Sequence, residues 1–255
     1  MNNERAFGIE IEFVGAMRGD VANYMRRHHV ACKVEGYNHT NQSYWKIVTD
    51  ASVRSAGAYN QGFELVSPKL YGQDGLDQLK VACDALLSAG AIVNKSCGLH
   101  VHHDASDYNS NQFESIFNWY KKFEDSIDTM MPKSRRGSGK QYIASLQNIS
   151  FSRIYDTRYY KLNLNSYHTH GTIEFDKISN WVLFTQMAMQ KCAKRKVKIS
   201  NTTHTRFLDM MRSVGIGFGE KVGGKNTDEQ NQLRDFYRNR RAELKRTYST
   251  RRNAR

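Results

Sequence analysis

The chain has 255 residues, 39% of them hydrophobic and 25% charged, with a formal net charge of +13. That length suits one large α+β domain or a domain with an appendage, and no run approaches 18 uninterrupted apolar residues, which predicts no membrane span and no membrane partner. Cys32, Cys83, Cys97 and Cys192 show no CxxC spacing, which argues against a zinc knuckle or a redox pair; with a first stretch, MNNERAFGIE, that lacks an apolar signal core, they predict reduced thiols in a cytoplasmic protein.

The positive charge is not spread evenly. Residues 1–190 hold 20 Lys and Arg against 19 Asp and Glu, whereas residues 191–255 hold 18 against 6. This predicts a charge-balanced body over 1–190 and a basic helical extension over 191–255. The extension is either solvated or open to an anionic partner.

In chain order, Phe7–Val14 alternates strictly, placing Ile9, Ile11 and Phe13 on one strand face and Glu10 and Glu12 on the other. A half-buried strand with a wet outer face explains this. Glutamate is nevertheless depleted in strands, and like charges at i and i+2 repel unless a cation lies between them. Residues 20–31 read as a weakly amphipathic helix. Tyr44–Asp50 is a second strand with a turn-like exit at Asp50 and Ser52, and Gly62–Pro68 is a third, with Glu64 between Phe63 and Leu65. Leu76, Leu79, Cys83, Leu86 and Leu87 predict a helix closed by Gly90.

Val93–Ser106, VNKSCGLHVHHDAS, then reads as a short strand, a tight Ser-Cys-Gly corner and a strand with three histidines. Alternation puts His100 and His102 on one face, and Leu99, Val101 and His103 on the other. Phe113, Ile116, Phe117, Tyr120, Phe123 and Ile127 form the core stripe of a helix from about Ser110 to Met130. Residues 132–140 are a basic loop containing Arg135 and Arg136. Arg158–Asn165 reads as a strand with Lys161, Asn163 and Asn165 on one face, Thr172–Phe175 as another carrying Glu174, and Trp181–Gln190 starts the last core helix. Gly219–Asn226 fits G-x-x-x-x-G-K but has Asn226 where a phosphate loop needs Ser or Thr, so it reads as a loop. Thr227 to Gln230 form a capping box for a final helix.

Together, Glu10, Glu12, Glu64 and Glu174, held in three strands, join His100 and His102 in an oxygen-rich set suited to hard divalent cations, and the excess of carboxylates argues against zinc. FGIEIEF, W-x-x-V-x-D-x-S (Trp45–Ser52), FELVSP, GA-x-VN, SCGLHVHHD, MPKSRR, K-x-NLN and TIEF occur in an order that resembles the amidoligase family, over residues 6–190. These are carboxylate–amine ligases of the glutamine synthetase and glutamate–cysteine ligase type. The resemblance implies an α+β fold with a curved antiparallel sheet, ligands on its concave face and helices packed on its convex side. It implies that Glu10, Glu12, Glu64, His100 and Glu174 hold Mg²⁺, or alternatively Mn²⁺, around ATP, and that His102, Asn163 and Asn165 meet the nucleotide. A carboxylate and an amine, free or in a peptide, would join through an acyl phosphate. Arg135, Arg136 and Arg158 would clamp phosphate or the substrate carboxylate, and Asp50 would orient the amine.

One departure stands out. The family reads Glu-Phe-Arg at the last acidic strand, where this chain has Glu174-Phe175-Asp176. Either Arg158 or a basic residue of the extension replaces that arginine, or activity is impaired. Two alternatives stay open: a Mg²⁺-dependent nuclease or nucleic-acid-processing protein using the basic quarter, and a non-catalytic binding protein on the ligase fold.

Overall fold

The computed structural model describes residues 5–54, 61–132, 136, 143–176, 181–197, 207–216 and 227–252. Packing divides the chain into two compact units, one of residues 1–104 with 172–178, the other of residues 105–171 with 179–255.

The first unit is an α+β layer. Its strands are β1 (Phe7–Phe13), β2 (Cys32–Val34), β3 (Trp45–Asp50), β4 (Gly62–Val66), β5 (Leu99–Asp104) and β7 (Thr172–Asp176), in the order β2-β3-β4-β1-β5-β7. All neighbours pair antiparallel except β2 and β3, which are parallel. Two helices accompany them, α1 (Arg18–Arg27) and α2 (Gly72–Ser88). The alternation of β1 has its expected consequence: Ile9 and Phe13 are buried on one face, and Glu10 and Glu12 stand on the other.

The helices cover the apolar face. Trp45, fully buried, donates its indole N–H to Gln78 Oε1 of α2 at 3.1 Å. Gly75 lets the first turn of α2 approach β1, since a Cβ there would lie 2.8 Å from Leu70 Cβ and 3.0 Å from the Phe7 ring. α2 stops at a left-handed Gly90 (φ +74°), the conformation that glycine adopts without steric cost.

The second unit is built on α3 (Ser110–Asp128), whose Asn109 and Gln112 form a reciprocal capping box. Phe113, Ile116, Phe117, Tyr120, Phe123 and Ile127 are all buried. The unit also holds β6 (Leu162–Asn163), α4 (Ser166–His170), α5 (Trp181–Lys194), α6 (Phe207–Ser213) and α7 (Asp228–Arg252). Two points of the 191–255 segment meet α3: Asn118 Nδ2 donates to the Val197 carbonyl and Trp119 Nε1 to Ser213 Oγ, while Tyr237 of α7 packs its ring against Phe184 of α5. Thr227 caps α7 as its spacing predicts.

Three expectations need correction. The strand expected over Arg158–Asn165 shrinks to Leu162–Asn163, because the fully buried Lys161 is pulled to Glu124 and Asp128 while Asn165 already has helical dihedrals at the start of α4. The strand expected before the Ser-Cys-Gly corner is a single bridge, Val14 to Ile92. The first helix starts and ends earlier than its apolar pattern predicts, because His28 and His29 turn the chain, His29 with φ of 60°. Gly219–Asn226 lies outside the described residues. No described helix is long and apolar enough to cross a membrane.

Candidate metal centre

Antiparallel pairing sets the geometry of the polar face. Residues directly opposite in adjacent strands share a face with side chains close together. Glu10 of β1 lies opposite His100 of β5, and Glu12 opposite Glu64 of β4. Asp50, the last residue of β3, lies opposite Gly62. Two triads result, Glu10–Glu64–His100 and Glu12–Asp50–Glu64, each with ligand atoms within 4.8 Å of one another. Glu64 belongs to both.

Imidazoles surround Glu10. His100 Nδ1 lies 3.0 Å from Glu10 Oε2, and His102 Nε2 lies 3.4 Å from Oε1. Burial, the largest influence on Glu10, would raise its pKa. The attraction of His102 and His100 outweighs it and holds the carboxyl well below its ordinary value. Glu64 goes the other way. Burial, then the negative charges of Glu10, Glu12 and Asp50, push it up to about 8, with His100 opposing. A carboxyl that keeps its proton because it is buried beside other carboxylates is a group that a cation would discharge.

Backbone completes the site. Gly98 donates its N–H to Glu12 Oε2 at 2.5 Å and accepts the Glu12 N–H at 3.1 Å. A Cβ there would lie 2.9 Å from His100 Nε2 and 3.4 Å from Glu12 Oε2, so a side chain would push both groups from these positions. Beyond Asp50, the Ser52 N–H donates to Asp50 Oδ1 at 2.7 Å, forming the turn that the Asp-x-Ser pattern predicts. His103 faces the other way, as expected. It is fully buried, and burial, with the like charges of His102 and Arg5, lowers it to about 3.

Glu10, Glu12, Glu64, His100 and Asp50 are thus brought together, with His102 on the outer side of Glu10. Its Nδ1 lies 3.2 Å from Thr172 Oγ1. β7 runs through Glu174 and Asp176, in register with His102 and His100 respectively. The remaining candidates belong to the second unit. Arg136 donates its Nε to the Met131 carbonyl, Arg158 is exposed with its guanidinium over the Tyr159 ring, and Asn163 is buried, its Oδ1 accepting the Asn165 N–H. Arg135 lies outside the described residues.

The donor sets suit divalent cations. Glu12, Asp50 and Glu64 offer three oxygens, the chemistry of Mg²⁺; Glu10, Glu64 and His100 add a nitrogen, which Mn²⁺ accepts more readily. Sequence reasoning missed that Glu64 is shared and that Asp50 stands beside Glu12 and Glu64. It also missed the Gly98 clamp. The Asp-x-Ser turn and the glycine before the His-x-His pair were the available signals.

A family model described as "Putative amidoligase enzyme" matches residues 3–157, more than half of the chain. No curated protein matches the sequence. Among solved structures, a bifunctional glutathione synthetase from Pasteurella multocida aligns with 12% identity and a TM-score of 0.45, covering 95% of this chain and 47% of its own. The chain therefore spans about half the length of that structure.

Proposed function

Since the chain belongs to the amidoligase family matched over residues 3–157, we propose that it is an ATP-dependent carboxylate–amine ligase, its polar sheet face holding two divalent cations that share Glu64. The observation that carries the proposal is the pair of triads meeting at Glu64, a carboxyl that burial and then the charges of Glu10, Glu12 and Asp50 push up to about 8. The proposal includes a curved, glutamine synthetase-like sheet with ligands on the concave side, Mg²⁺ or Mn²⁺ as the cation, and Glu174 as a further ligand.

Bound cations would neutralise the phosphates and the charge that develops as a phosphoryl group moves to a carboxylate. The chain's own residues do the rest. Glu10, held ionised between His100 and His102, and Glu12, held by the Gly98 N–H, present fixed oxygens that need little reorganisation. His102, Asn163 and Asn165 are assigned to the nucleotide, and Arg135, Arg136 and Arg158 to phosphate or the substrate carboxylate. Asp50, given its position, is assigned to the metal and only through it to the amine. With Asp176 where the family carries an arginine, either Arg158 or a basic residue of the extension takes over its role or activity is impaired.

The test is ADP release from ATP and Mg²⁺ with pooled carboxylates and amines, paired with mass spectrometry for a new amide. ADP and amide that depend on both pools, and that vanish in Glu64→Gln, are the expected result. Equal background in wild type and variant contradicts the ligase.

A further inference from the structure

The two triads differ in what holds them. Glu10, Glu64 and His100 sit on three consecutive strands, β4, β1 and β5, with ladder pairing around them. Asp50 ends β3, and Glu12, although opposite Glu64 in the ladder, lies past the last β1–β5 pair and is held there by Gly98, so the placement of these two depends also on the segments beyond. Past Asp50 the chain folds back over Gly62, where a Cβ would lie 2.2 Å from Val53, and reaches Arg54. Asn94 Nδ2 donates to the Arg54 carbonyl at 2.6 Å, and the Arg54 N–H donates to Ser96 Oγ at 2.9 Å. Asn94 Oδ1 accepts the Ser96 N–H at 2.8 Å and the Ser96 hydroxyl at 2.6 Å, while the Asn94 carbonyl accepts the Cys97 N–H at 3.2 Å. The next residue is Gly98, whose N–H grips Glu12. Val14, Val53 and Cys97 form a small buried cluster from the same segments.

Resting on the metal reading above, we infer that Asn94 is a positioning residue for the Glu12–Asp50–Glu64 half of the centre and not for the Glu10–Glu64–His100 half. One amide ties the turn after Asp50 to the corner that clamps Glu12. Its orientation is fixed by its partners, because a backbone N–H needs an acceptor and the Arg54 carbonyl needs a donor. Aspartate keeps the shape, loses the donor and turns an oxygen lone pair toward the Arg54 carbonyl. Each lost hydrogen bond is worth only about 0.5–1.5 kcal/mol net, so the corner loosens while the sheet stays folded.

Mn²⁺ titration of the full chain, followed by electron paramagnetic resonance of the free ion and by calorimetry, tests this. Wild type takes up two ions. Asn94→Asp weakens one of them by about 2- to 12-fold, the equivalent of one lost hydrogen bond, and leaves the other unchanged. Ser96→Ala, which removes the acceptor of the Arg54 N–H, produces the same selective loss and serves if Asn94→Asp folds poorly. Asp50→Asn combined with Asn94→Asp costs little beyond Asp50→Asn alone, because both act on one ion. Asn38→Ala, which breaks bonds to Lys46 in another loop of the same unit, leaves both ions in place. Equal weakening of both ions, or of neither, in a folded Asn94→Asp and Ser96→Ala overturns the inference and leaves the metal reading standing. A wild type that binds no Mn²⁺ overturns both.

Discussion

Each unit of the chain contains a cluster of carboxylates, and the two are built on opposite terms. In the second unit Lys161, fully buried, places its Nζ 2.7 Å from Glu124 Oε1 and 2.9 Å from Asp128, and Glu124 Oε2 also accepts the Leu146 N–H at 3.0 Å. Here the chain supplies its own cation. In the first unit burial, and then the negative charges of Glu10, Glu12 and Asp50, push the Glu64 carboxyl up to about 8. There imidazoles hold Glu10, and a cation from outside would discharge Glu64. A carboxylate cluster closed by a buried lysine is a structural element, whereas one whose shared carboxyl is held protonated by burial and by its neighbours' charge is suited to a cation.

The contrast breaks most visibly at Lys161. Lys161→Met leaves Glu124 and Asp128 buried without their cation and destabilises the fold by about 3–5 kcal/mol, measured by urea unfolding. If that variant is as stable as wild type, the second cluster is not the closed ion pair described. Next in size is Gly98→Ala. The added methyl group meets His100 and Glu12, so Mn²⁺ affinity drops about 10- to 100-fold while every ligand residue remains, a change read by calorimetry.

Glu64 gives two opposite pH responses. Its folded pKa lies above the unfolded value, so it favours the fold most at low pH. The metal-free protein therefore loses stability as pH rises from about 4.5 to about 8, by at most about 1.4 kcal/mol per unit. Cation affinity changes the other way, because an ion must displace that proton, and it falls up to about tenfold for each unit below pH 8. Glu64→Gln removes the first dependence and abolishes the shared ligand. Wild-type and variant unfolding midpoints that track each other from pH 5 to 8 would remove the asymmetry between the clusters.

Much of the first cluster was legible because a strand has a period of two. Glu10 and Glu12, and His100 and His102, fall on their faces from alternation alone, and the apolar neighbours of Glu64 mark it as a strand residue. Pairing register is a long-range property, so nothing local showed that Glu64 stands opposite Glu12 or that Asp50 joins them. The second cluster was hidden for a similar reason. Lys161 looked like one polar position of an alternating strand, and only the packing of α3 reveals the two carboxylates that draw it inward. Asn94 was visible only as part of a corner, since its partner Arg54 lies 40 residues upstream.

The most direct test of the metal reading is diffraction from crystals grown with Mn²⁺ and a non-hydrolysable ATP analogue, recorded at the manganese edge. The account predicts two anomalous peaks, one among Glu10, Glu64 and His100 and one among Glu12, Asp50 and Glu64, with the nucleotide phosphates against both. Peaks elsewhere, or phosphates remote from Glu64, would contradict it.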